Sequence, residues 1–205
     1  MPRLTLLLPL FLLAALALPG CGSRHSAYRD DTLYIGGYRQ AGPGQKPKRA
    51  AFDDVSYWDG DGVSGSPSIR IDLGDQTASF FKGGQLVGVS SISTGREGFS
   101  TPSGSFRILQ KNKDHVSSIY GDYVDAQTGE VIMKDIDRGK DRMPKGARYD
   151  GARMPYFMRF TGGVGMHEGF LPGYPASHGC IRMPGFMAEK FFNNVSVGTP
   201  VTVVH

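Results

Sequence analysis

Cysteine is nearly absent. Two in 205 residues, Cys21 and Cys180, are too few for a disulfide framework or a cysteine-based zinc module. Charge of one sign is also scarce. The 23 Lys and Arg against 19 Asp and Glu give a net charge of +4 without a basic stripe, which excludes a nucleic-acid binder. No internal repeat is found, so a solenoid or propeller is excluded. Glycine, by contrast, is in excess at 29 residues, double a usual share of about 7%, and implies many turns and close backbone approaches. Aromatic residues make up 11%, enough to bury a core and exclude wholesale disorder. The length suits one domain with appendages.

The chain opens on an apolar run. Arg3 precedes residues 4–18, which are Leu, Ala and Phe apart from Thr5 and Pro9. That run is too short to span a bilayer as a helix, which takes about 20 residues. Residues 1–20 read as a secretory signal. The exit Leu18-Pro19-Gly20-Cys21 resembles a bacterial lipobox, whose cysteine is lipidated as the signal is removed. Several acyl chains on Cys21 would give stable membrane attachment. Gly22 is not the Asp that retains lipoproteins at the inner membrane in enterobacteria-like sorting. The resemblance therefore implies the periplasmic face of the outer membrane, with a secreted periplasmic protein as the alternative. Once Cys21 is consumed, Cys180 is the one free thiol, and a thiol with no internal partner is a candidate for chemistry.

Residues 21–66 read as a lipidated N-terminus and tether, rich in Gly, Pro and Ser, with partial order expected near Tyr34-Ile35 and Tyr57-Trp58. The folded domain is placed at residues 67–205. There Ile69, Ile71 and Leu73 alternate with Arg70 and Asp72, a half-buried strand. Phe80-Phe81 and Leu86-Val87 flank Lys82-Gly83-Gly84-Gln85 as a hairpin. Phe106, Ile108 and Leu109 predict a further strand, as do residues 154–160 and Pro200-Val201-Thr202-Val203-Val204. Met183, Phe186, Met187, Lys190 and Phe191 carry helical spacing. Residues 111–150 differ in composition, with 8 basic and 8 acidic residues and one apolar knot, Val131-Ile132-Met133. They read as an insertion with its own small hairpin, expected to cap the Cys180 groove through residues 117–123. Many short strands and one late helix predict a mainly β sandwich or barrel with a short helix near the C-terminus.

Chemistry concentrates between His167 and Arg182. Two of the five histidines, His167 and His178, lie within thirteen residues of Cys180. A cysteine nucleophile needs a base or cation, because a free thiol titrates near 8.5. Gly179 lets the backbone turn so that N–H groups can face an oxyanion. Arg182, two residues past Cys180, shares its side of an extended strand and could hold a substrate carboxylate. Ser177 reads as a hydrogen-bonding residue of the loop, His178 as structural, and His115 and His25 as solvated.

The run Ser177-His178-Gly179-Cys180-Ile181-Arg182, with a histidine upstream, resembles the signature of the L,D-transpeptidase (YkuD-like) catalytic domain. Ile69-Arg70-Ile71-Asp72-Leu73, Ser93-Thr94-Gly95 and Thr101-Pro102-Ser103-Gly104-Ser105-Phe106 match that domain's opening strands and its following segments, in the expected order. The resemblance spans residues 68–204. Two features depart from the pattern: His167 lies closer to Cys180 than in many members, and Met183 stands where many have Asn.

The resemblance implies an L,D-transpeptidase-like β-sandwich or barrel and a bacterial cell-wall enzyme acting on peptidoglycan stem peptides. Cys180 is implied as nucleophile and His167 as its base, with the Glu168 carbonyl holding the second ring nitrogen. Ser177, His178 and Gly179 are implied to shape the nucleophile loop, Arg182 to support substrate or loop, and Tyr156 to wall the pocket. The acceptor is an amine, from a second stem or an envelope-protein lysine. No metal or organic cofactor is implied, and no nucleic acid. An ordinary histidine at 167 predicts a near-neutral limb in the pH profile. The other readings are a hydrolase variant and a non-catalytic peptidoglycan-binding lipoprotein, which would need neither Cys180 nor His167.

Overall fold

The computed structural model describes Asp53 and residues 55–205. The signal segment 1–20, Cys21, His25 and Tyr34-Ile35 lie outside the described residues. Strand β1 (Tyr57–Trp58) is followed by β2 (Pro67–Asp72), β3 (Thr77–Lys82), β4 (Gln85–Ser91), β5 (Gly104–Arg107), β6 (Gln110–Asp125), β7 (Val131–Asp137), β8 (Ala147–Thr161), β9 (Val164–Glu168) and β10 (Ile181–Met183). Helix α1 (Gly185–Asn194) and strand β11 (Pro200–Val204) complete the order. Among the described residues the chain is mainly β, in two sheets with one short helix, as its alternating pattern predicts.

The first sheet runs β1-β4-β3-β2-β11-β5. In β2 the alternation works as read: Ile69 and Ile71 are buried and Arg70 is exposed. The β3–β4 hairpin turns at Gly83-Gly84, with Lys82 opposite Gln85. Strand β11 lies parallel to β2, Val201 level with Ile69, and antiparallel to β5. The second sheet runs β10-β9-β8-β6-β7. One apolar cluster joins both sheets and the helix. Ile71 and Phe80 come from the first sheet, Met158, Phe160, Met166, Ile181 and Met183 from the second, and Met187 and Phe191 from α1.

Two local expectations change, and the order expected near Tyr57-Trp58 is found as a strand. Met183 belongs to β10, because Pro184 at φ −57 and ψ 141 is extended and starts the helix one residue later. Tyr57–Trp58 pair with Val89 and Gly88 of β4, and Trp58 packs on Phe80 at 5.1 Å and on Phe191 at 6.2 Å. The Trp58 indole N–H donates to Asp61 at 2.8 Å, and the other oxygen of Asp61 meets Lys190 of α1 at 2.6 Å. Residues 111–150, finally, are made by extension of the sheet. Strands β6 and β8 run for 16 and 15 residues and stay paired from Gln110↔Arg159 to Asp125↔Ala147, with a register shift between Val116 and Gly121. Strand β7 then adds the outer edge of this arm.

Candidate active site

The site is built on three adjacent strands whose core faces are already accounted for. Met158 of β8, Met166 of β9 and Ile181 and Met183 of β10 point into the core. Side chains alternate along a strand, so Phe157 and Arg159, Gly165 and His167, and Cys180 and Arg182 share the opposite face. The register aligns them in rows. Arg159 is level with Gly165, and Ile181 with Met166, so Cys180 comes level with Gly165. His167 is level with Arg182. The motif spacing thus becomes a patch: a thiol, an imidazole and two guanidinium groups on one face.

His167 is buried at 2% exposure. Its Nδ1–H donates to the Glu168 carbonyl at 2.7 Å, the bond that the resemblance implies. A neutral ring so held carries its lone pair on Nε2. Burial pushes His167 down to about 3, against the Glu168 carbonyl, which favours the charged form, and with help from the cations Arg182 and His115. Cys180 is half-buried, and its thiol donates to the Gly163 carbonyl at 3.7 Å. Burial pushes the thiol up, while the Gly165 N–H and the charges of Arg182 and Arg159 pull it down. Both charged forms are disfavoured, so thiol and imidazole rest neutral.

The loop before Cys180 is clamped from the other sheet. Ser93 and Arg182 exchange backbone hydrogen bonds at 3.0 and 2.9 Å, and the Thr94 carbonyl accepts the N–H groups of Ala176 and Ser177 at 3.0 Å each. Thr101 Oγ1 donates to the Gly179 carbonyl at 2.8 Å and accepts the Gly95 N–H at 3.0 Å. The Ser-Thr-Gly and Thr-Pro segments are therefore the scaffold of the nucleophile loop. Ser177 Oγ donates to the Cys180 carbonyl at 2.5 Å and accepts the Gly179 N–H at 3.0 Å. That engages the Gly179 N–H within the loop, away from an oxyanion role. Gly179 stands at φ +109, a conformation that a side chain would strain.

His178 is held on all sides. Its Nε2 accepts from Arg96 at 2.7 Å, and its ring stacks on Tyr120 at 4.3 Å and meets the edge of Phe99 at 4.7 Å. Asp135, whose N–H donates to Asp122 at 2.9 Å, comes within 3.8 Å of Nε2. Burial and the Arg96 charge lower the His178 pKa. Tyr120 and Asp135 belong to the arm, so the segment expected to cap the groove touches the nucleophile loop two residues from Cys180. Arg182 is buried at 8% exposure, with its backbone tied to Ser93. Tyr156, at φ +56, packs on Phe192 of α1 at 5.7 Å, near the carboxylates of Glu189 and Glu168.

Sequence reasoning missed several residues here. Arg96 and Phe99 follow the Ser-Thr-Gly run directly, a signal that could have marked them. Tyr120 and Asp135 arrive through strand pairing and leave no spacing to read. His115 is a correction: it is half-buried rather than solvated, stacked on Phe157 at 4.2 Å, and its pKa falls through burial and the charge of Arg159.

Comparison with known proteins agrees with this fold. No curated protein matches the chain. Among solved structures, an L,D-transpeptidase from Mycobacterium smegmatis is similar at 24% identity and a TM-score of 0.51, covering 68% of this chain and 59% of its own. An L,D-transpeptidase from Xylanimonas cellulosilytica is similar at 21% identity and a TM-score of 0.50, covering 70% of this chain and 62% of its own. The chain thus spans about three fifths of the length of these structures, and the likeness is one of fold. The L,D-transpeptidase catalytic domain model, YkuD, matches residues 66–203, well over half of the sequence and all of the site above. The chain belongs to the L,D-transpeptidase catalytic domain family.

Proposed function

We propose that this protein is a peptidoglycan L,D-transpeptidase with Cys180 as nucleophile and His167 as base. The observation that carries the reading is the His167 Nδ1–Glu168 carbonyl bond at 2.7 Å, on the strand face that also bears Cys180. It fixes the tautomer that carries the ring's lone pair on Nε2, the form in which a histidine takes a thiol proton. The donor is a stem peptide ending in D-alanine on diaminopimelate. The Cys180 sulfur adds to the diaminopimelate carbonyl as its proton passes to His167. The C–N bond then breaks, His167 protonates the departing amine, and D-alanine leaves a thioester. An acceptor amine attacks that thioester, gives its proton through His167, and returns the sulfur to the thiol state. The acceptor is a second stem or an envelope-protein lysine, and water in its place makes the enzyme a hydrolase.

Cys21 is proposed as the lipid anchor, with the domain on the periplasmic face of the outer membrane. The test of the chemistry is D-alanine release from a tetrapeptide stem, with competing amines present and the products read by mass spectrometry. Wild type should release D-alanine, and Cys180→Ala should not. A carbapenem, whose strained amide resembles the donor bond, should add to the mass of wild type and not of Cys180→Ala. Absence of both release and adduct would overturn the reading. For the anchor, Cys21→Ser should free the protein from membranes while sparing rates on soluble stems. A Cys21→Ser protein still membrane-bound in high salt would refute the anchor.

A further inference from the structure

Two guanidinium groups act on the Cys180 thiol, those of Arg182 and Arg159. Arg182 is enclosed beside His167 in the floor of the site. Arg159 is half-buried and faces the groove side of β8. It occupies the row Arg159, Gly165, Cys180, in which the middle position has no side chain. Two strand spacings separate the ends of that row, about 10 Å between Cα atoms, and an arginine side chain covers most of that span. The Phe157 ring fills the space over Gly165, where a Cβ would come within 2.5 Å of it, so Arg159 and Cys180 come together at the turn, on the carbonyls of Gly162 and Gly163. One end of the guanidinium is placed: Nη1 donates to the Gly162 carbonyl at 3.2 Å, and the group lies 5.6 Å from the Phe157 ring centroid. Its Nε is buried and has no hydrogen-bond partner among the described residues, and a buried donor is destabilising unless something accepts its bond. The other cations near the loop are engaged: Arg96 on His178, and Lys140 on Asp137 at 3.4 Å.

We propose that Arg159 binds the terminal carboxylate of the donor peptide, the carboxylate of the residue that leaves. The inference rests on the transpeptidase reading. That carboxylate lies one residue past the scissile carbonyl, about 3.8 Å per Cα step, so a carbonyl at Cys180 puts it within the reach of a cation held at the Gly162–Gly163 turn. A carboxylate accepts charge-assisted hydrogen bonds from a guanidinium. Arg159 is thus a specificity residue: it selects stems whose last residue carries a free carboxylate at the cleavage point.

The test compares a tetrapeptide stem ending in D-alanine with the same stem ending in D-alanine amide. Every other carboxylate is common to both, so the ratio of kcat/KM isolates the terminal group. Wild type should prefer the acid by about 10- to 100-fold, the range of one charged hydrogen-bond pair. Arg159→Met should bring the ratio close to one, and Arg159→Lys should restore part of it. The same ratio is read independently as binding affinity on Cys180→Ala with and without Arg159→Met. A ratio that survives Arg159→Met, with both substrates slowed alike, would overturn the proposal and leave Arg159 as a brace for the Gly162–Gly163 turn. So would a wild type indifferent to acid and amide. Failure of turnover with the affinity ratio intact strikes the transpeptidase reading and spares this one.

Discussion

At His167 two demands conflict. A base must accept a proton, and a buried ring resists the charge that comes with it. Burial prevails, and the ring stays neutral down to about pH 3. The proton therefore leaves sulfur only as the bond to carbon forms. Acylation by a carbapenem, followed by mass spectrometry from about pH 5 to 8, should give a profile without a near-neutral limb in wild type. His167→Ala should lower the rate by about 10²–10⁴, and its remaining activity should climb with pH as the thiol ionises unaided. A wild-type limb near pH 6.5 that disappears in His167→Ala would refute the buried neutral pair. Cys180 and His167 stand out in the sequence by residue type and short spacing, while the Glu168 carbonyl comes only with the family resemblance. Arg159 does not stand out, since its place depends on the register between β8 and β9.

The arm of β6, β7 and β8 is the element that most changes meaning between sequence and structure. Its balanced charge and low aliphatic content mark it as unlike the core, which is correct. Its continuity with the sheet is invisible, because a strand with one polar face reads like a solvated loop when its partner is unknown. Tyr120 carries the contact of the arm with the nucleophile loop by stacking on His178. Tyr120→Ala should raise the KM for the donor stem several-fold with a smaller effect on kcat, and Tyr120→Phe should retain wild-type values because the ring alone stacks. Equal KM values for all three would place the arm outside substrate binding. At the other end of the domain, Trp58 joins β1 to β3 and α1. Trp58→Ala should cost about 3 kcal/mol in urea unfolding, the lower end for a large aromatic because the indole is half-buried. A loss under about 1 kcal/mol would mean that β1 adds little to the fold.

For the whole molecule, the buried histidine couples folding to acidity. The unfolded chain takes a proton on this side chain near 6.5 and the folded chain only near 3. Stability is thus lost as pH falls through that window, with a slope of up to about 1.4 kcal/mol per pH unit from this group. The carboxyl of Asp122, raised by burial, acts in the opposite direction, so the group is best isolated by difference. The stability of wild type minus that of His167→Gln should decline from pH 6.5 to 4 and be level from 7 to 8. A difference constant across both ranges would show that the ring titrates alike in folded and unfolded chains.

The place of β11 bears on when this fold can come into being. The strand fills the slot between β2 and β5, and Val201 meets Ile69 across about 130 intervening residues. A chain emerging from the ribosome in order must hold β2 and β5 with bare edges until residues 200–204 arrive. Exposed edges of that kind invite pairing with other chains, and so distant a closure is slow. The thiol at Cys180 thus emerges before the first sheet can close, and assembly of the domain is timed by the arrival of β11.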